Sequence, residues 1–325
     1  MRSVLLVLAA AVCFGTTGTA QALGPDADPV SVGAVRILVG GGALAAVALA
    51  LHVAGRRRGA TGTSVAPTSG GRTGRWPAGV AMVVGAAGVL AYQPAFFAGT
   101  ASNGVAVGTV VALGSAPVLT GVLDWALRRR FPGGSWVVAT ALATAGVAAL
   151  ASASGTGPSA VDPIGIAASV AAGASYAVYT LAGKSLLDRG WTSSASMGAM
   201  FGVAAALSLP VLLATDTGWL ATGPGLAMAL WLGLVTTTVA YLFFGAGLKR
   251  LTPATVSTLT LAEPLTATLL GVVLLQERLP TTAVIGLAVL ASGIVLLTVT
   301  SSRRMPRRAA PRTDAVPAAP VALDA

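Results

Sequence analysis

Charged residues along this chain fall mostly in short clusters, and long apolar runs with at most one charge separate them. Ten runs reach the length of about 18 residues or more that a bilayer crossing needs. They are Ser3–Leu23, Val30–Val53, Trp76–Gly99, Gly104–Leu127, Ser135–Ala153, Ile164–Ala182, Ser193–Ala214, Gly225–Leu248, Ala254–Gln276 and Thr281–Thr300. The pattern predicts an all-α membrane protein with ten transmembrane helices. The breaks are short and polar, as at Gly24-Pro25-Asp26-Ala27-Asp28-Pro29, Arg128-Arg129-Arg130, Lys249-Arg250 and Glu277-Arg278. A longer break at about 54–75 is rich in Arg, Gly, Ser and Thr and is expected to be a flexible cytosolic linker. The Arg-, Ala- and Pro-rich stretch 301–325 is expected to be a disordered, basic cytosolic tail. The first run also has features of a secretory signal: Arg2, an apolar stretch from Val4 to Val12, and Ala20-Gln21-Ala22 as a cleavage site. Its apolar stretch of about 20 residues is long enough to span, and it is counted as a helix.

Composition narrows the class. The chain has 325 residues, of which 55% are hydrophobic and only 9% charged. A soluble domain carries about 25% charged residues, so an ordinary cytosolic enzyme is excluded. The 41 glycines and many alanines suit close helix packing inside a bilayer. A single cysteine, Cys13, excludes a disulfide framework and thiolate metal sites; a single histidine, His52, excludes most His-based chemistry. No metal and no cofactor is expected. The net charge of +10 would suggest nucleic acid in a soluble protein. Here it is a topology signal. With both termini inside, every basic residue except Arg36 and Arg278 lies on the inner side or at its edge, while Asp26, Asp28, Asp162, Asp216 and Glu277 fall outside. A cell (cytoplasmic) membrane location with both termini cytosolic follows, and nucleic acid is not an expected partner.

The chain also repeats itself. At an offset of 147, Pro117 pairs with Pro264, Gly146 with Gly293, and Phe96-Phe97 with Phe243-Phe244; Gly121 and Phe131 align with Thr268 and Arg278. At an offset of 165, Ser31-Val32-Gly33-Ala34-Val35-Arg36 resembles Ser196-Met197-Gly198-Ala199-Met200-Phe201. Two five-helix halves follow, residues 1–153 and 154–300. Five is odd, so the second half enters the membrane inverted. Inverted repeats of this kind build transporters with a site at mid-depth between the halves.

The stretch Thr252-Pro253-Ala254, Leu261-Ala262-Glu263-Pro264, Leu274-Leu275-Gln276-Glu277-Arg278-Leu279, Ile285-Gly286 and Gly293 resembles the second EamA repeat of the drug/metabolite transporter superfamily. Arg36 likewise resembles that family's frequent arginine, and the likeness covers nearly all of residues 3–300. Two positions depart from the pattern: Arg130 stands at the usual turn glutamate, and Gln276 at the usual glycine. The resemblance implies a secondary transporter, expected to export small metabolites such as amino acids by alternating access, in exchange for protons or a counter-solute. A small-molecule substrate and the lipid bilayer are the implied partners, and oligomeric state is left open. A non-transporting membrane scaffold or sensor is the other class compatible with ten spans.

Within the spans, a few polar residues stand out. Glu263 lies about 9 residues into the ninth run, roughly 14 Å deep at 1.5 Å per residue. A carboxyl there costs at least ~2.5 kcal/mol, so it should face a cavity or a partner. Pro264 removes a helix hydrogen bond beside it. Glu263 could bind a substrate amine or a proton, or be a structural acid. Arg36, about 10 Å deep, could bind a carboxylate, pair with Glu263 or snorkel outward. Tyr92, Gln93, Ser175, Tyr176, Tyr179, Trp231, Thr236, Thr237, Thr238 and Tyr241 are uncharged cavity candidates. Pro117 and Pro264 are expected as matched helix kinks. Asp124 and Arg128 have the spacing of a helix-surface pair, and Glu277-Arg278 is expected to cap a turn. Enzyme readings are weak. Gly173-Ala174-Ser175 has neither His nor Asp beside it for a nucleophilic dyad, and Gly183-Lys184-Ser185 lacks the first glycine of a phosphate loop.

Overall fold

The computed structural model describes residues 1–59, 76–129, 131–152, 162–276 and 279–304. Ten helices in it are long and apolar enough to cross a membrane. In chain order they are α1 (Arg2–Leu23), α2 (Pro29–Arg57), α3 (Ala78–Gly104), α4 (Val107–Arg128), α5 (Gly134–Ser152), α6 (Pro163–Asp188), α7 (Ser193–Leu213), α8 (Gly223–Leu248), α9 (Pro253–Leu274) and α10 (Thr281–Ser301). Helical structure continues past the expected limits, to Gly59 after α2 and to Arg304 after α10. Arg72, Arg75, Arg130, Glu277, Arg278 and most of the expected linker and tail lie outside the described residues.

Local chemistry sets the helix ends. Asp28, Asp162, Thr192, Thr222 and Thr252 each accept a backbone N–H from the first turn of the following helix, and four of these helices carry Pro within that turn. Gly104, at φ 78°, turns the chain between α3 and α4 in a conformation open to glycine. Arg129 ends α4 in the left-handed region, at φ 54°.

Packing follows the repeat. With α1–α5 matched to α6–α10, the pairs α2–α7 and α5–α10 each join equivalent helices. The packing of α1 against α8 and α9 has its counterpart in α6 against α3 and α4. The α5–α10 crossing shows the symmetry atom by atom. A methyl group on Gly146 would press on Gly286 and Leu290; one on Gly293 would press on Ala139 and Ala143. These neighbours are themselves 147 residues apart, so the glycine spacing in the sequence marks one symmetric contact of two backbones.

The two ends of the bundle differ in charge. Arg2, Arg128, Lys184 and Lys249 lie at one end, called the basic end; Asp26, Asp28, Asp162 and Asp216 lie at the other. At the basic end the halves are fastened together. Arg128 Nη1 meets Asp188 Oδ2 of the other half at 2.8 Å; within the second half, Lys184 Nζ donates to the Leu248 carbonyl at 2.9 Å. The buried Trp136 indole donates to the Ala254 carbonyl at 3.0 Å and to Thr258 Oγ1 at 3.1 Å, and Thr140 shares a 2.8 Å hydrogen bond with Thr258. There α4 leans on the Pro253–Leu259 half of α9, and it stands off from the Ala262–Leu274 half.

Candidate functional site

The polar interior starts at a break in α9. Regular helix ends at Leu259 and resumes at Ala262. Pro264 has no N–H for the Thr260 carbonyl, which instead takes the Glu263 N–H at 2.9 Å; Leu261 N–H turns back to the Thr258 carbonyl at 3.2 Å. The break puts Glu263 in the first turn of a new helix, where the partial positive charge of the N-terminus favours a carboxylate. In the matched position, α4 runs unbroken through Pro117.

Glu263 opens onto a cavity of about 70 Å³, whose walls include Phe14, Arg36, Ala116, Ser257 and Thr260. A second cavity of about 40 Å³ adjoins it and shares Arg36, Tyr92, Tyr179 and Tyr241. All four tyrosines of the chain line these two spaces. Tyr179 and Tyr241 join their hydroxyls at 3.0 Å, and Tyr176 meets Thr260 Oγ1 at 2.9 Å. The rings of Tyr176, Tyr179 and Tyr241 form one cluster with Phe14, Phe201 and Phe244; Phe14 meets Tyr241 edge-on at 5.1 Å, and Phe201 lies 4.1 Å from it.

Arg36 reaches the cavity from α2. Its Nε donates to Thr237 Oγ1 at 3.1 Å and its Nη2 to the Thr236 carbonyl at 3.3 Å. Among the described residues Glu263 has no ion pair or side-chain hydrogen bond, and the recorded ion pairs lie at the basic end. An arginine and a carboxyl group thus face one small aromatic chamber without touching each other. These groups are chemically complementary to both ends of a small zwitterion: the guanidinium to a carboxylate, the carboxyl group and tyrosine faces to an ammonium.

The structure brings Glu263, Arg36, Tyr92, Gln93, Tyr176, Tyr179, Thr237 and Tyr241 to these two walls. Ser175, Trp231, Thr236 and Thr238 line neither. Trp231 donates to Thr16 Oγ1 at 3.0 Å, beside an apolar groove between α1, α8 and α9. Asp124 and Arg128 do pair, at 2.7 Å, but Arg128 also reaches Asp188 of the other half, which their spacing alone did not reveal. His52 is exposed at the end of α2, and Cys13 is half-buried. Phe14, Ala116 and Phe201 are wall residues that polarity alone misses, and Thr260 is a polar one that was not singled out as a wall residue. Two of them had a signal in the repeat: Ala116 is the counterpart of Glu263, and Phe201 that of Arg36.

Two inverted five-helix halves around a polar chamber at mid-depth define a membrane transporter. The chain belongs to the EamA-like transporter family, whose profile matches residues 1–152 and again residues 163–299, one match for each half. It is 36% identical over 310 residues to a protein of Bacillus subtilis (strain 168) named uncharacterized transporter YwfM, across 94% of this chain and 97% of that one. A solved crystal structure shares the fold, with a TM-score of 0.73 and 22% identity over 93% of this chain and 98% of that one.

Proposed function

We propose that the protein is a secondary transporter that exports small zwitterionic metabolites, such as amino acids, by alternating access. The observation that carries this reading is the pair Arg36 and Glu263, each facing the same four-tyrosine chamber without a direct ion pair. Arg36 takes the substrate carboxylate and Glu263 the amine. Tyr92, Gln93, Tyr176, Tyr179 and Tyr241 enclose the bound molecule. An amine and a proton compete for the same carboxylate, which couples export to proton entry. The basic end faces the cytosol of the cell membrane, and the two halves, 1–153 and 154–300, rock against each other, with the break before Pro264 as the flexible point. A space of about 70 Å³ holds a few waters rather than a metabolite. Loading therefore requires the halves to part, and the fastened basic end makes the present arrangement closed to the cytosol.

The test is untargeted metabolomics of cells and medium, with wild-type protein, with Glu263→Gln and without either. Wild-type expression should deplete a small set of zwitterions from cells and enrich them in the medium; the variant should not. Unchanged profiles in all three would favour a scaffold or sensor.

A further inference from the structure

The residue that holds the arginine is as informative as the arginine. Residues Trp231–Val239 of α8 form a π-helical stretch. Such wide turns are uncommon and recur at functional sites. Here the turn alters the hydrogen bonding of one carbonyl. In a regular α-helix the Ala240 N–H would take the carbonyl of Thr236, four residues back. Instead it reaches the Val235 and Thr237 carbonyls, and the Thr236 carbonyl accepts Arg36 Nη2. The same turn lets Thr237 Oγ1 donate to the Leu232 carbonyl, five residues back, at 2.9 Å while it accepts Arg36 Nε.

Two consequences follow from donor counting. A threonine hydroxyl has one proton, and that of Thr237 is committed to Leu232, so Thr237 has none to give a substrate carboxylate. Arg36 has five N–H donors; its Nε and Nη2 edge is occupied by α8, which leaves the Nη1 and Nη2 end free for a bidentate carboxylate. The clamp is set in a rigid contact. Thr236 and Thr237 are fully buried, and Thr238 Oγ1 donates at 3.0 Å to the Gly40 carbonyl, one turn along α2 from Arg36. A side chain at Gly40 would collide with Thr237 and the Gly233 carbonyl, so only glycine lets α2 approach this closely.

We propose that the π turn of α8 is a positioning device for Arg36, that Thr237 is its positioning residue rather than a substrate ligand, and that the substrate anion meets Arg36 end-on. The proposal rests on the reading of Arg36 as a carboxylate site, yet it can fail separately from it. The experiment uses full-length protein with ¹⁵N-labelled arginine in detergent micelles, and reads hydrogen exchange of the Arg36 Nε–H. Its signal is assigned by its loss in Arg36→Lys. In wild type this Nε–H should exchange at least about tenfold more slowly than that of Arg2 at the bundle end. Thr237→Val, which keeps the shape and removes the hydroxyl, should speed exchange about tenfold; Thr237→Ser should restore protection. An unprotected Arg36 in wild type would overturn the proposal even if Thr237→Val fails to fold. So would equal protection in wild type and Thr237→Val. Neither result depends on which solute, if any, the cells export.

Discussion

Helices α4 and α9 occupy matched places in the two inverted halves, and they have diverged at the centre. Both carry a proline at the same register, and each has a threonine nearby whose hydroxyl bonds a carbonyl four residues back. Thr120 reaches Ala116 at 2.7 Å, and Thr268 reaches Pro264 at 2.8 Å. Yet α4 continues through Pro117, while α9 breaks before Pro264. At the residue preceding each proline, Ala116 and Glu263 line the same cavity. The α2–α7 pair has the same asymmetry, with Arg36 facing the cavity walls from one half and Phe201 from the other. The backbone keeps the pseudo-symmetry, and the polar chemistry breaks it: one arginine from the first half, one glutamate from the second. Charge placed at both equivalents would put like charges in one small chamber, which low-dielectric surroundings make costly.

The largest effect should come from the residue that breaks the symmetry most. Glu263→Gln keeps shape and removes charge. Hydrogen bonds to charged groups are worth about 1.5–3 kcal/mol, so substrate-driven and pH-driven flux should fall about 10- to 100-fold, with the protein still folded and in the membrane. Ala116→Glu in that background should not restore flux, because α4 lacks the break and the helix N-terminus that α9 provides. Rescue would mean that the two helices are interchangeable.

The α5–α10 crossing is the opposite case, where the halves should behave alike. Gly146→Val and Gly293→Val each force a side chain into the partner backbone. Each should cost about 1–3 kcal/mol of stability, read as a lowered thermal unfolding midpoint of the purified protein. A difference between the two beyond about 1 kcal/mol would show that the crossing is less symmetric than its glycines.

The basic-end fastening is again one-sided. Trp136 fits against Gly121 and bonds to α9; its counterpart is Ala283, which carries no hydrogen-bonding side chain. Trp136→Phe keeps an aromatic ring and loses both indole hydrogen bonds, worth about 1 kcal/mol. In a Cys13→Ser, Ala116→Cys background, thiol labelling from the basic end should quicken about fivefold. Unchanged labelling would remove Trp136 from the closure.

Much of this was legible in the sequence because it rests on periodic or regularly spaced signals. Ten apolar runs mark the helices, and the offset of 147 pairs Gly146 with Gly293, although it does not say that their two helices cross. The eight candidate wall residues were found because polar and aromatic groups within a bilayer-length run are few. What stayed hidden depends on backbone detail or on distant partners. Nothing in Trp231–Val239 announces a π turn, and the Arg128–Asp188 pair joins helices far apart in the chain. The wall residues Ala116 and Phe14 have no polar chemistry to mark them. Pro117 and Pro264 share a register in the repeat, and only the local hydrogen bonds show that one of them breaks its helix.

That last distinction yields the smallest effect and the finest test of the comparison. An alanine at 117 would supply an N–H for the Leu113 carbonyl in a helix that is already continuous. Pro117→Ala should therefore leave flux within about twofold of wild type, or ~0.5 kcal/mol. An alanine at 264 would offer an N–H to the Thr260 carbonyl, which Glu263 N–H now occupies. The two donors would compete, regular helix would extend through 260–263, and the carboxylate would lose its place at a helix start. Pro264→Ala should keep or slightly raise thermal stability, since it removes a helix-breaking residue, while flux falls several-fold. The opposite signs are the point of the measurement. A structural proline lowers stability and flux together when replaced, whereas a proline that maintains a functional break lowers flux alone. Equal small losses from both variants would mean that the break in α9 is set by Thr260 and Leu261 rather than by the proline that follows them.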